Sequence, residues 1–191
     1  GMPKSSNNNS SKVRRGITVV CPSFWQKFTR STRASQCEFV LVLALSVIDT
    51  GRGAGLGSTS MIISVGIDLV EVERIRAALE HPRIGLRFRE RVYTQREIAY
   101  CERRQRGRFQ SYAGRFAAKE AVMKALGRGW GAQVRWLDIE VARAISGKPD
   151  IVLHSKTAQL AEKLGIQHWA LSITHTDQHG MAYVIAQDER S

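Results

Sequence analysis

Cysteine is scarce in this chain of 191 residues, and its three cysteines lie far apart. Cys21, Cys37 and Cys101 show neither a Cys-x-x-Cys spacing nor an accompanying histidine cluster. A disulfide framework needs an even set of cysteines and a structural zinc site needs grouped ligands, so the sequence favours neither. Dispersed, reduced thiols are typical of the cytoplasm, and we expect a cytoplasmic protein.

Long apolar segments are also missing. The most apolar stretch, residues 39–48, has ten residues, whereas a helix that spans a bilayer needs about 20. The glycine patterns of Rossmann and P-loop nucleotide sites do not occur either. We therefore expect neither a membrane protein nor one of these two nucleotide-binding folds.

Acidic residues are few in the first third of the chain. Residues 1–60 contain eight Lys or Arg and two acids, the first of them Glu38. Residues 61–191 contain 21 basic and 15 acidic residues, so each part contributes +6 to the net charge of +12. Positive charge favours anionic partners such as nucleic acid, nucleotides, anionic lipid or an acidic protein, but it does not choose among them.

Two regions differ in composition. Residues 1–60 are rich in Ser, Asn and Thr and end in a linker-like Gly/Ser/Thr stretch, which is typical of a flexible extension. This extension is a targeting segment, an accessory element, or sequence upstream of a true start at Met61. We favour the last, because Met61 directly precedes the first strongly patterned segment, and we expect one domain over residues 61–191.

Regular patterns begin after Met61. Apolar runs predict strands and helical spacing predicts helices, in an order that places helices early and short antiparallel strands late. The expected strands are 62–70, 137–142, 151–153, 169–175 and 181–186, and the expected helices start at 72, at the capping box 94–97, at 111 and at 157. This order predicts an α+β fold with an antiparallel sheet packed against helices.

Two acids stand out as candidate metal ligands. Asp68 lies near the end of an apolar strand, and Glu120 lies in an alanine-rich helix where Phe116, Glu120 and Lys124 share one face. Mg²⁺ binds well to one or two carboxylates when a phosphate substrate and water complete its shell. The alternatives are a strand-end cap for Asp68 and a surface ion pair between Glu120 and Lys124.

Basic and histidine side chains near these acids suggest an anion site. Arg115, Lys119 and Lys124 lie on the alanine-rich helix and could neutralise a polyphosphate, or simply solubilise the helix. Lys148 stands on a Ser-Gly-Lys-Pro turn and His175 ends a strand. The turn could equally be a connection, and the histidine could equally have a structural partner.

Together, five motifs resemble the holo-acyl-carrier-protein synthase family in order and spacing. They are Gly-Ile-Asp at 66–68, Arg-Phe-Ala-Ala-Lys-Glu-Ala at 115–121 with Lys-Ala-Leu-Gly at 124–127, Asp-Ile-Glu-Val at 138–141, Ser-Gly-Lys-Pro at 146–149 and Ser-Ile-Thr-His at 172–175. The resemblance covers residues 61–191 and none of residues 1–60. It implies a homotrimer with active sites between neighbouring subunits, coenzyme A as donor, Mg²⁺ as cofactor and an apo-acyl carrier protein as acceptor.

The resemblance also assigns roles to residues. Asp68 and Glu120 would bind the metal. The residues implied near coenzyme A are Arg115, Lys119, Lys124, Lys148 and His175. A serine of the carrier protein would attack the β-phosphorus of coenzyme A and release 3′,5′-ADP. Lys124 would stabilise the developing charge, and either Glu120 or a water molecule at the cation would take the serine proton.

An acidic helical acceptor needs a basic docking face. Arg74 and Arg76 lie on the helix that follows Asp68 and are the expected contacts. Reversing Arg74 to Glu should raise the Michaelis constant for the carrier protein but not that for coenzyme A. The sequence does not indicate whether the acceptor serves fatty-acid or polyketide synthesis.

Two other functions compete with this interpretation. The net charge and the Arg-Arg-Gln-Arg run at 103–106 suggest nucleic-acid binding, but no RNA-binding, zinc or helix-turn-helix motif is apparent, and we expect no nucleic-acid partner. A phosphoesterase would use the same two acids with water as the acceptor.

Overall fold

The computed structural model describes residues 61–188. Its five strands are β1 (Ile62–Glu71), β2 (Ile139–Arg143), β3 (Pro149–Leu153), β4 (His168–His175) and β5 (His179–Gln187). Its five helices are α1 (Val72–Glu80), α2 (Gly85–Val92), α3 (Gln95–Glu102), α4 (Arg108–Ala125) and α5 (Ser155–Lys163). Short 3-10 turns occupy Gln105–Gly107 and Trp136–Asp138. The predicted α+β class is confirmed.

The strands form two antiparallel sheets. The larger sheet has the order β1-β5-β4, so β1 and β4 are its edges, and the smaller sheet is the β2-β3 hairpin. Asp68 on β1 lies opposite Ala182 on β5, which in turn lies opposite Ile173 on β4. The register therefore places Asp68 at the open edge of the larger sheet.

Helix α4 packs tightly on one face of this sheet. Its alanines at every fourth position are buried, which lets the helix backbone approach the strands. A Cβ atom at Gly66 would lie 1.9 Å from the carbonyl oxygen of Ala121, so only glycine fits there. The Ser64 hydroxyl also donates to the Ala125 carbonyl oxygen at 2.7 Å. The contact fixes β1 and α4 relative to each other.

The opposite face of the larger sheet is apolar and carries no helix among the described residues. Alternating positions of β1 and β5 point to this face, and Val65, Leu69 and Tyr183 keep 42%, 53% and 37% of their surface exposed. In the register, Val65 and Leu69 lie opposite Ile185 and Met181. The apolar side chains therefore form one continuous patch, here called the open sheet face.

Most expected elements occur, with two differences. Helix α2 was not predicted, because it is rich in arginine and buries only Gly85, Phe88 and Val92. The strand expected from residue 137 begins at Ile139, since Trp136–Asp138 forms a 3-10 turn instead. The Asp138 carboxylate accepts a hydrogen bond from the Thr157 hydroxyl at 3.2 Å and holds this turn against α5. Residues 1–60, with the apolar stretch 39–48, lie outside the described residues.

A membrane-spanning helix was not expected from the sequence. Across residues 61–188, none of the helices combines the length and the apolar character needed to cross a bilayer.

Candidate active site

The two candidate metal ligands lie where β1 meets α4, and Lys124 bridges the two elements. Its ammonium group donates to Asp68 Oδ1 at 2.9 Å and to the carbonyl oxygen of Ile67 at 2.8 Å. The partner of Lys124 is therefore Asp68 on the strand, and the simple surface pair of Glu120 with Lys124 is not what forms. The chain brings one acid and one base together across 56 residues of sequence.

The charge of Asp68 acts on the Glu120 carboxyl group. Burial, and after it the negative charge of Asp68, raise the pKa of Glu120 to about 7, while Lys124 opposes the shift. Burial also raises the pKa of Asp68, against the attraction of Lys124. A like charge raises the pKa of a carboxyl group when the two lie near each other. We call Asp68 and Glu120 the paired-carboxylate site, and their role as metal ligands stays a prediction.

This donor set suits a hard divalent cation. Buried carboxylates that repel each other are stabilised in their ionised form by a cation between them. Within the described part of the chain, no group of three or more His, Cys, Asp or Glu side chains could hold a metal ion. An ion bound at Asp68 and Glu120 would therefore draw its other ligands from water and substrate, which is the habit of Mg²⁺.

The two arginines expected to dock a partner lie in different surroundings. Burial raises the pKa values of Asp68 and Glu120. The positive charge of Arg74 acts to lower both pKa values, so Arg74 interacts electrostatically with the site. Arg76 instead pairs with Glu73 at 3.3 Å and stacks 4.7 Å from the centre of the Phe109 ring. Arg74 borders the site, whereas Arg76 lies on the outer surface of α1.

Lys119, expected near the substrate phosphates, lies inside the core. Its ammonium group is fully buried, 2.7 Å from the Glu97 carboxylate, and donates to the carbonyl oxygens of Val92 and Trp136 at 2.8 and 3.0 Å. Three partners satisfy its three N–H groups, so this conformation leaves none for a ligand. The structure does not bring Lys119 to the paired carboxylates, because the side chain points to the opposite side of α4.

Arg115 belongs to a cluster of arginines around one tyrosine. Its guanidinium carbon lies 3.9 Å from the centre of the Tyr100 ring, and those of Arg143 and Arg104 lie at 5.3 and 5.6 Å. We call Arg104, Arg115 and Arg143 with Tyr100 the arginine cluster. Sequence patterns did not indicate Tyr100 or Arg143, since neither belongs to a motif and the cluster forms only when α3, α4 and β2 come together.

Comparison with known proteins identifies the family of the chain. The sequence matches the family model of the 4′-phosphopantetheinyl transferase superfamily over residues 64–186. The chain belongs to this superfamily. A holo-[acyl-carrier-protein] synthase of Solibacter usitatus is 53% identical over 128 residues, covering 67% of this chain and 100% of that relative. The chain is thus an enzyme of the holo-[acyl-carrier-protein] synthase type, as the motifs predicted.

Solved structures of other phosphopantetheinyl transferases have the same fold. The Helicobacter pylori holo-[acyl-carrier-protein] synthase in complex with coenzyme A matches with a TM-score of 0.56 at 32% identity, covering 64% of this chain and 98% of that one. A Bacillus anthracis holo-(acyl-carrier-protein) synthase in complex with CoA (3′,5′-ADP) matches with a TM-score of 0.54 at 33% identity, covering 68% and 99%.

The last two expected site residues of this phosphopantetheinyl transferase lie apart from Asp68 within one chain. His175 ends β4, and β5 lies between that strand and β1. Lys148 is exposed on the turn of the β2-β3 hairpin. The single chain therefore places Asp68, Glu120 and Lys124 together, and places His175 and Lys148 elsewhere.

Proposed function

We propose that this transferase moves the 4′-phosphopantetheine arm of coenzyme A onto a serine of an apo-acyl carrier protein, uses Mg²⁺ and releases 3′,5′-ADP. The observation that carries the proposal is the paired-carboxylate site of Asp68 and Glu120, with Lys124 beside it. The complexes of related synthases with coenzyme A and with CoA (3′,5′-ADP) support the choice of donor and leaving group.

The carboxylates and the lysine divide the chemistry between them. Mg²⁺ held by Asp68 and Glu120 would supply positive charge against the pyrophosphate. The Lys124 ammonium, already fixed by two oxygen atoms, can stabilise the negative charge that develops on the leaving phosphate without reorganising. Either Glu120 or a water molecule at the cation would accept the serine proton, and a bound cation would lower the pKa of Glu120 from the value of about 7 that it has in the metal-free protein.

The basic side of α1 is the proposed docking surface for the acidic carrier protein. The structure alters which variant tests it best. Reversing Arg74 to Glu would add a negative charge beside Asp68 and Glu120, so it would affect the chemistry as well as docking. Arg76 does not contribute to the pKa shifts of the two carboxyl groups, so Arg76→Glu should raise the Michaelis constant for carrier protein alone.

A homotrimer is the proposed assembly. The open sheet face exposes contiguous apolar side chains, including Leu69 and Val65, at a cost that burial between copies of this chain would remove. Asp68 lies on one edge strand of that same sheet, His175 ends the opposite edge strand, and Lys148 lies on the turn of the β2-β3 hairpin. A neighbouring subunit could supply these two residues, which agrees with the expectation of active sites between subunits.

The domain boundary and the location remain proposals. Every described element lies between Ile62 and Gln187, and the family model matches residues 64–186, which supports residues 61–191 as the transferase domain. The cytoplasmic location stays a prediction.

A mass measurement tests the proposed function. Apo-acyl carrier protein is incubated with the enzyme, coenzyme A and Mg²⁺, and the carrier should gain the mass of one phosphopantetheine group. Omitting the metal, or replacing Asp68 with Asn, should abolish the gain. Cleavage of coenzyme A without any protein adduct would identify a phosphoesterase and overturn the proposal.

A further inference from the structure

One arginine side chain holds the turn between β2 and β3. Arg143 donates two hydrogen bonds to the carbonyl oxygen of Gly147, from Nε at 2.9 Å and from Nη2 at 2.7 Å. Two backbone bonds close the same turn, from Ala144 N to Lys148 O at 2.9 Å and from Gly147 N to Ala144 O at 2.8 Å. The residue that precedes Lys148 is thus clamped by a guanidinium group.

The same guanidinium group connects the turn to the helices. Its Nη1 atom donates to the hydroxyl of Tyr100 at 3.1 Å, and Tyr100 lies on α3. Arg115 of α4 also contacts Tyr100, because its guanidinium carbon lies 3.9 Å from the centre of the Tyr100 ring. Arg143 therefore links an exposed turn to the helix that carries Glu120.

Gly147 is matched to this contact. Its φ angle of +85° lies in the left-handed region, which side chains other than glycine disfavour. A Cβ atom there would also lie 3.0 Å from Nη2 of Arg143. A larger residue would thus strain the turn and push the guanidinium away from the carbonyl group it holds.

Arg143 makes three hydrogen bonds to other groups of the protein, although its side chain is exposed. Three of the five N–H groups of Arg143 are committed to two oxygen atoms on different elements, and the planar fork is what allows this. Lysine, with a single ammonium centre on a flexible stem, cannot reproduce the arrangement. Ordering a loop before ligand binding improves affinity because the entropy cost is met in advance.

We propose that Arg143 is a positioning residue that orders the Ser-Gly-Lys-Pro turn, so that Lys148 is ready to meet a phosphate group of the coenzyme A donor. This inference rests on the proposed function, and it adds a residue outside the motifs that suggested that function. Arg143 acts through Lys148 and need not touch the substrate itself.

Steady-state kinetics and calorimetry of coenzyme A binding test the proposal on the full chain. Arg143→Gln and Arg143→Lys should each weaken coenzyme A binding and raise its KM by about fivefold to tenfold, the usual range for one lost positioning contact. The kcat and the KM for carrier protein should stay within about twofold. Gly147→Ala should give the same pattern by displacing the guanidinium.

A double-mutant cycle decides whether Arg143 works through Lys148. Lys148→Ala should weaken coenzyme A binding to a similar extent, and adding Arg143→Gln to it should change the affinity by less than about twofold. Fully multiplicative effects, or an unchanged affinity in Arg143→Gln alone, would overturn the proposal. Arg96→Gln is the matched control, since Arg96 is an exposed arginine of α3 whose described partner is Glu140, and it should behave as wild type.

The proposed function and the positioning role fail in different ways. If the wild-type enzyme adds no phosphopantetheine to carrier protein, the proposed function fails. If wild type transfers the group but coenzyme A affinity is indifferent to Arg143 and Gly147, the positioning role alone is wrong. Because calorimetry measures donor binding directly, it tests the role of the turn without needing turnover.

Discussion

At the scale of single residues, Glu120 is a buried carboxyl group with a strongly raised pKa. Burial, followed by the charge of Asp68, raises its pKa to about 7 from the ordinary value of 4.5. A carboxyl group that holds its proton more tightly in the folded state stabilises the fold when protonated. This contribution is complete below about pH 4.5 and is lost as the pH rises through 7.

A neutral isostere should therefore stabilise the metal-free protein at high pH. Glu120→Gln and wild type should unfold alike near pH 4, and above pH 8 the variant should be more stable by up to about 3 kcal/mol. Chemical denaturation across the pH range in the presence of a chelator measures the difference. At pH 8, added Mg²⁺ should stabilise wild type but not the variant. A difference that is independent of pH would contradict the assignment.

At the scale of secondary-structure elements, a buried ion pair anchors α4. Glu97 accepts from Thr94 N in the capping box of α3, from Val141 N on β2 at 3.0 Å, and from Lys119 on α4 at 2.7 Å. Burial lowers the pKa of Lys119, and the Glu97 carboxylate counteracts this. The Glu97 carboxylate thus joins α3, β2 and α4, and its partner on α4, Lys119, directly precedes Glu120 in the sequence.

Breaking this pair from one side should be costly. Lys119→Met leaves a buried, unpaired carboxylate and should destabilise the protein by about 3–5 kcal/mol. Adding Glu97→Gln should recover part of the loss because the unpaired charge is gone. Urea unfolding midpoints of both variants give the comparison. Equal stabilities of Lys119→Met and wild type would show that the pair is not formed in solution.

The elements that the sequence predicted well carry a strong local signal. The apolar run of β1 and the alanine repeat of α4 follow directly from periodicity, and the Thr94 capping box forms with both of its hydrogen bonds. The prediction that Asp68 and Glu120 act as a pair came from two acids in family motifs, and it stays a prediction. Helix α2 was missed because its buried positions are few.

Other features depend on contacts between distant segments. A lysine next to Glu120 on an alanine-rich helix could face either way, and only packing against Glu97 and Trp136 sets the orientation of Lys119. Tyr100 and Arg143 are 43 residues apart and belong to no pattern. Such residues become visible only once α3 and the β2-β3 hairpin are placed.

At the scale of the whole molecule, the open sheet face is the surface proposed to contact other copies of this chain, because its apolar side chains are exposed. A charged residue in its centre should prevent association. Leu69→Glu should reduce the mass in solution from that of three chains to that of one, and transfer activity should fall with it. Multi-angle light scattering measures the mass. Leu164→Glu is the control, because Leu164 has a similar exposure of 43% but lies at the end of α5.

Removing the extension, residues 1–60, tests the proposed domain boundary at the scale of the whole molecule. If residues 61–191 form the complete transferase domain, removing residues 1–60 should leave the thermal midpoint within about 2 °C, since loss of one cap or contact in a domain of this size shifts it by more. Turnover of carrier protein should also be unchanged. A large loss of either would assign the extension a part in folding or catalysis.

Lys124 has one further consequence for the molecule. β1 is an edge strand, and exposed edges invite pairing with strands of other chains. By occupying the carbonyl oxygen of Ile67, the lysine blocks a hydrogen-bond acceptor along that edge. If Lys124 stabilises phosphate charge as proposed, one ammonium group would serve both the transfer reaction and the protection of this edge against pairing with other chains.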